Sequence, residues 1–206
     1  MHDQPALQPH DPTGDDSLRG ASIVVGVCGG IAAYKSAALV SKLAQAGAEV
    51  SVLMTESATR FVTPLTFQAL SGKPVYTSQW QHVESHDPQH IALATRAHAA
   101  IVAPATMDCL ARLATGRADD IVSVVLAAVD RARTPVLLAP SMNGVMWSQP
   151  STQRNLDTLK ADGFSVLEPD SGWQACRAVG PGRMPGPDRL FDELRDSLAQ
   201  RRPSTA

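Results

Sequence analysis

Asn143 and the apolar side chains around it form the stretch of this sequence with the clearest binding chemistry. They lie in PSMNGVMW, residues 140–147, directly after an apolar run that predicts a buried strand. An amide donates and accepts hydrogen bonds at once, which suits a carboxylate or amide ligand. Met142, Met146 and Trp147 could line a flat apolar ligand, or could simply pack against the rest of the protein.

A second candidate site follows the first apolar run, where residues 26–36 read GVCGGIAAYKS. Glycine lets the backbone approach a ligand closely, and the start of the next helix offers unpaired N–H groups to a phosphate. A tight turn whose glycines only relieve strain is the alternative. Thr55 and Thr106 each end another apolar run, and their hydroxyl groups could contact an anion or cap a helix.

Residues 168–189 form a stretch rich in glycine and proline, for which we predict no regular structure. A loop of this length is either a disordered insert or a functional lid. It carries binding chemistry that a linker does not need, so we favour the lid. Its chemically capable residues are Trp173, Cys176, Arg177 and Arg183.

Three histidines could suggest a metal site, because His82, His86 and His90 are spaced for one face of a helix. Pro88 would break such a helix. We therefore predict no metal site, and we expect most histidines to be solvated surface groups.

These loops are positioned by an alternation of apolar runs and helical stretches. The predicted strands span residues 21–28, 49–54, 99–104, 134–140 and 164–169. The predicted helices span residues 31–47, 56–71, 106–115, 119–130, 151–161 and 187–200. Alternation of this kind predicts an α/β fold, with a parallel sheet covered by helices on both faces. Ligands then bind beyond the carboxyl ends of the strands, where the loops lie.

Composition bounds the domain organisation and the classes of partner. The 206 residues suit one domain. We expect a disordered tail at 1–19, a single domain at 20–200 and a loose end at 201–206. The net charge of -2 gives no basic field for nucleic acid or a membrane. Three cysteines without metal spacing, and no apolar run of about 20 residues, indicate a cytoplasmic setting.

Four segments together resemble the homo-oligomeric, flavin-containing cysteine decarboxylases. These segments are GVCGGIAAYK, APAT, PSMNGVMW and ACRAVGPGRMPGP, and they occur in the family's order. The resemblance covers about residues 21–200 and implies a Rossmann-like flavoprotein that forms a homotrimer or a homododecamer, with active sites between subunits. The family includes phosphopantothenoylcysteine decarboxylase and the peptidyl-cysteine decarboxylases of lantibiotic-like peptide biosynthesis.

The resemblance also implies a cofactor and its site. The cofactor would be FMN, with FAD as the alternative, and its phosphate would lie on Gly29, Gly30 and Ile31. Phe61 matches an aromatic residue that touches the flavin ring. The full set expected at the cofactor is Gly29, Gly30, Ile31, Ser36, Thr55, Phe61, Thr106, Met107, Asp108, Cys109 and Ser141.

Catalytic roles follow from the same resemblance. The flavin would supply the two-electron oxidation that no side chain can perform, and decarboxylation would then give an enethiol. His90, which precedes IALA, would be the base. Asn143 would hold the substrate carboxylate, and Cys176 matches the acid of the coenzyme A enzymes. Expected substrate contacts are Asn143, Met146, Arg177 and Arg183.

The sequence points to two substrates. Cys176 and GPGRMP favour phosphopantothenoylcysteine, as in coenzyme A biosynthesis. Met107, Asp108 and Arg177 depart from the usual family residues, and fusion to a synthetase, common in the bacterial enzymes, is not seen here. We therefore favour the C-terminal cysteine of a precursor peptide, whose enethiol would enter aminovinyl-cysteine formation.

Two functions from other classes stay open. One is a regulatory flavin-binding subunit, against which the intact His90 and Asn143 argue. The other is a prenylated-flavin synthase, which should lack the PSMNGVMW motif.

Overall fold

A five-stranded parallel sheet forms the centre of the computed structural model, which describes residues 17–80 and 89–201. The strands are β1 (Ser22–Val27), β2 (Glu49–Met54), β3 (Ala99–Ala105), β4 (Val136–Pro140) and β5 (Ser165–Val166). Their order across the sheet is β2-β1-β3-β4-β5, and all neighbours are parallel. The predicted α/β fold is confirmed, and each predicted strand is present.

Helices connect the strands. They are α1 (Ala33–Gln45), α2 (Pro64–Ser71), α3 (Gln89–Arg96), α4 (Met107–Ala114), α5 (Ile121–Ala128), α6 (Gly144–Trp147), α7 (Pro150–Ala161) and α8 (Pro187–Arg201), with a 3₁₀ helix at Glu56–Arg60. The single helix predicted at 56–71 is two, because Pro64 starts a new helix at its first position. Helix α3 is described from Gln89 onward, and His82, His86 and Pro88 lie outside the described residues.

Two hydrophobic cores cover the two faces of the sheet. Successive side chains of a strand point to opposite faces. Ile23 and Val25 of β1 therefore enter one core, and Val24 enters the other. Residues of α1, α2 and α8 complete the first core, and residues of α3, α4, α5 and α7 complete the second. The loops at the carboxyl edge of the sheet are thus fixed by buried elements on both sides.

The glycine- and proline-rich stretch forms a β-hairpin, so the prediction of no regular structure there is wrong. Strand β6 (Asp170–Trp173) pairs antiparallel with β7 (Val179–Arg183). A ribbon of two strands leaves one edge of each strand unpaired, and proline is tolerated in such an edge strand. Pro181 accordingly sits within β7, opposite Ser171.

The folded domain begins earlier than the predicted tail allows. Residues 17–19 form a turn, and the Leu18 side chain is wholly buried in the first core. Gly20 N–H donates to the Gly47 carbonyl at 3.2 Å, which ties this turn to the end of α1. Residues 1–16 and 202–206 lie outside the described part of the chain. None of the helices described is long and apolar enough to span a membrane.

We expect Leu18→Ala to lower the free energy of unfolding by about 2–5 kcal/mol, because it leaves a cavity in the core. Leu65→Ala is the matched control, since Leu65 is 70% exposed, and we expect it to change stability by about 0.5 kcal/mol or less. Urea unfolding followed by circular dichroism measures both. Equal, small effects would mean that residues 17–19 do not contribute to the folded core.

Candidate functional site

A cavity of about 1070 Å³ opens at the carboxyl edge of the sheet. Strand β2 is added on one side of β1, and β3 to β5 are added on the other side. The strand order therefore reverses between β1 and β3, and open α/β sheets bind ligands at such a point. Small-molecule sites commonly measure about 300–1,000 Å³. The cavity is therefore large enough for a cofactor together with a substrate.

The cavity gathers most of the residues that the sequence singled out. Loops after β1, β2, β3 and β4 contribute to its lining, and so does the β6–β7 hairpin. The predicted residues among them are Gly29, Gly30, Ile31, Thr55, Thr106, Met107, Asp108, Cys109, Ser141, Asn143, Met146, Cys176 and Arg183.

The Gly29–Gly30 turn forms a cradle that excludes side chains. A Cβ atom at Gly29 would lie 2.9 Å from the backbone carbon of Ser57, too close for any other residue. Helix α1 starts beyond the turn, and its first residues receive no side-chain cap. Backbone and helix dipole thus face the cavity together, an arrangement that favours an anion.

Two threonines beside the cradle cap short helices and still have a donor to offer. The hydroxyl oxygen of Thr55 accepts from Ala58 N–H at 3.2 Å, and that of Thr106 accepts from Cys109 N–H at 3.3 Å. Each hydroxyl hydrogen is left for another acceptor. The capping role and the anion-contacting role considered for these residues are therefore compatible.

Asn143 also caps a helix and keeps hydrogen-bond donors for a ligand. Its Oδ1 accepts from the Met146 N–H at 2.8 Å and so caps α6. The amide NH₂ has no hydrogen bond to any residue in the described ranges, which leaves two donors in the cavity wall. Met142 and Met146 line the cavity, whereas Trp147 packs against the second core and does not reach the lining.

The negative charge of Asp108 is balanced within the protein. Arg112, one turn further along α4, donates to the Asp108 carboxylate at 2.9 Å and also contacts Asp119. Asp120 lies 3.8 Å from the same guanidinium and caps α5. This end of the cavity is therefore a closed network of opposite charges.

The three thiols differ in their surroundings. Cys28 and Cys109 are buried next to each other, and a hydrogen bond with Cys28, together with burial, raises the pKa of Cys109 well above its ordinary value. Cys109 therefore stays protonated and packs as a small apolar group. Cys176 is exposed at the tip of the hairpin, where its Sγ lies 3.5 Å from Gln174 Oε1.

Four predicted site residues do not line the cavity of the single chain. Ser36 is wholly buried and donates to the Ala103 carbonyl at 2.5 Å, so it fastens α1 to β3 and does not contact the cofactor site, a correction to its predicted role. Phe61 is 51% exposed beyond the 3₁₀ helix. His90 lies half-buried on α3, and Arg177 lies at the hairpin tip. The roles of these last three stay predictions.

The structure also adds lining residues that the sequence did not identify. They include Tyr34, Lys35, Glu56, Arg112 and Gln174. Lys35 follows the glycine turn by one helical turn, and this proximity is the signal that could have identified it. Its Nζ donates to the Met184 carbonyl at 2.7 Å, beyond the end of the hairpin.

Arg177 has a φ of 64°, the one positive φ among the described non-glycine residues. The left-handed conformation costs such a residue roughly 1–2 kcal/mol. Arg177→Gly should therefore raise the free energy of unfolding by about 1 kcal/mol. Arg133→Gly, at another exposed turn without this conformation, should lower it by about 0.4–1 kcal/mol. Urea unfolding compares the two, and loss of stability in both variants would contradict the strain at Arg177.

Comparison with known proteins places this chain in a family. The Flavoprotein family model matches residues 13–199. A bifunctional coenzyme A biosynthesis protein, CoaBC of Haemophilus influenzae, is 45% identical over 184 residues, which cover 89% of this chain and 45% of that protein. The chain thus spans less than half the length of this relative.

Two solved structures share the fold over nearly their whole length. The FMN-dependent cysteine decarboxylase SpaF superposes with a TM-score of 0.74 at 29% identity, covering 87% of this chain and 97% of that one. A PPC decarboxylase mutant complexed with pantothenoylaminoethenethiol gives 0.77 at 26% identity, covering 88% and 100%. The resemblance inferred from the sequence motifs is confirmed, and the chain belongs to the Flavoprotein family.

Proposed function

We propose that this chain is an FMN-dependent decarboxylase of cysteine conjugates and that its substrate is phosphopantothenoylcysteine. The observation that carries the proposal is the cavity, which sets the glycine cradle, Asn143 and Cys176 around one space. Identity to the coenzyme A biosynthesis protein, at 45%, supports this substrate better than the peptide favoured from the sequence. Asp108 no longer argues against it, because Arg112 balances its charge.

The residues present fit FMN. The glycine cradle and the start of α1 would hold the phosphate, and the hydroxyl groups of Thr55 and Thr106 would donate to it. When bound, FMN would supply the two-electron oxidation of the cysteine Cβ–S unit and the hydride that the product takes back, so that carbon dioxide alone is lost. The remaining volume, toward Asn143 and the hairpin, would receive the substrate.

Asn143 and Cys176 would each act on the substrate. The NH₂ group of Asn143 is fixed by the cap that its Oδ1 makes, so it is pre-oriented to donate to the cysteine carboxylate. Cys176 sits on the hairpin over the cavity, where its thiol can return a proton to the product. Gln174 stiffens this part of the hairpin through a bond of 2.6 Å from Nε2 to the Pro181 carbonyl.

A second copy of the chain would complete the site. His90, the expected base, does not line the cavity of its own chain. Apolar side chains are exposed on the same protein surface as the glycine turn, including Ile31 at 60% and Tyr34 at 62%. We infer a homo-oligomer, a trimer or a multiple of trimers, in which a neighbour brings His90 to the cavity.

Mass spectrometry of two incubations tests the proposed function. The purified flavin-loaded protein is given phosphopantothenoylcysteine in one and a short peptide ending in cysteine in the other. Loss of carbon dioxide alone from the first compound is expected. Loss of carbon dioxide and two hydrogens from the peptide, with the first compound unchanged, would favour the second candidate, a peptidyl-cysteine decarboxylase.

Asn143→Asp isolates the role of the Asn143 amide. Aspartate keeps the oxygen that caps α6 but replaces two donors by negative charge, so it repels a carboxylate. We expect kcat/KM to fall about a hundredfold or more while the melting temperature stays within a few degrees of the wild type. Asn155→Asp on α7, outside the cavity, is the matched control. Equal activity in both variants would exclude the carboxylate contact.

A further inference from the structure

Two basic side chains line the hairpin end of the cavity. Lys35 comes from the first turn of α1 and Arg183 from the end of β7, and both line the cavity. Within residues 17–80 and 89–201, neither forms an ion pair. The carboxylate of Asp170 acts on the charge of Lys35, but it is already paired with Arg189 at 2.7 Å. The opposite end of the cavity differs, because Arg112 there is surrounded by carboxylates.

Holding these two positive charges near each other costs free energy. Burial and the charge of Arg183 lower the pKa of Lys35, which shows that each disfavours the charged form. The Lys35 ammonium is nevertheless held in place by its bond to the Met184 carbonyl. An anion between the two side chains would convert this repulsion into attraction.

The hairpin directs Arg183 away from Asn143. The side-chain position at Gly182 faces the Met142 carbonyl, in the loop that carries Asn143. Arg183 follows it, and neighbouring strand residues point to opposite sides. Its Nη1 lies 3.1 Å from the Cβ position of Gly172, across the ribbon. The basic pair therefore occupies a different part of the cavity from the donors that would hold the cysteine carboxylate.

We propose that Lys35 and Arg183 form a subsite for a phosphate monoester, the phosphate at the far end of the pantothenoyl arm of the substrate. The inference rests on the proposed function and extends it. It makes the basic pair the source of preference for a phosphorylated substrate over an unphosphorylated one or a peptide. The phosphate of the flavin is a second source of the same chemistry, and the experiment distinguishes the two.

Steady-state kinetics with phosphopantothenoylcysteine and with pantothenoylcysteine tests the subsite. Wild-type protein should prefer the phosphorylated compound. Lys35→Met and Arg183→Met should each raise KM for that compound about tenfold to a hundredfold with little change in kcat, and should change kcat/KM for pantothenoylcysteine much less. Lys35→Arg should keep the preference. Lys42→Met is the control, because Lys42 lies on the same helix but outside the cavity and pairs with Asp188.

Three results would overturn the subsite. The first is an equal loss of activity toward both compounds. The second is loss of bound FMN from the two methionine variants, seen in the visible spectrum, which would assign the pair to the flavin phosphate. The third is a wild-type preference that does not weaken as salt is raised, since a phosphate contact of this kind is screened. The salt series needs no variant, so it remains decisive if a variant fails to fold.

If the proposed function is wrong, the kinetic and binding results differ from those that would overturn the subsite. If the wild type decarboxylates neither compound, titration calorimetry with phosphopantothenate and pantothenate examines the subsite alone. Tighter binding of the phosphorylated compound, lost in Lys35→Met and Arg183→Met, would support the subsite without the reaction. Equal affinity for the two compounds would exclude it.

Discussion

The parallel pairing of β1 with β3 is the constraint on which the rest of the structure depends. Strands β2 and β3 lie on opposite sides of β1. The connections that follow β1 and β3 therefore run in opposite directions, and their loops separate and leave a crevice. The glycine turn can lie against Ser57 only because β2 ends beside β1. The loops that follow the buried strands place the glycine turn, Thr55, Thr106 and Asn143 at this edge.

Three side chains that cap helices in this protein also keep hydrogen-bond donors for a ligand. Thr55, Thr106 and Asn143 each accept a backbone N–H with one oxygen and keep hydrogens for a ligand. The cap fixes the rotamer before a ligand arrives, so less entropy is lost on binding. For the same reason, an alanine substitution at these positions would mix loss of structure with loss of binding.

Much of the fold could be predicted from sequence because the central strands are buried on both faces and appear as continuous apolar runs. The hairpin could not, since Gly172, Gly180 and Pro181 disfavour strands and only the ribbon's unpaired edges tolerate them. Ser36 was misjudged because its bond to Ala103 joins residues distant in sequence. Lys35 was missed because a lysine on a helix is usually solvated, and only the fold places it below the hairpin.

The hairpin is joined to the loop that bears Asn143 by one short backbone link. Met142 N–H donates to the Gly182 carbonyl at 2.9 Å, and the Met142 carbonyl contacts Gly182 closely enough to exclude a side chain there. The ribbon therefore cannot lift without either breaking this bond or dragging the Asn143 loop with it. Any movement of the hairpin would therefore be coupled to movement of the loop that bears Asn143.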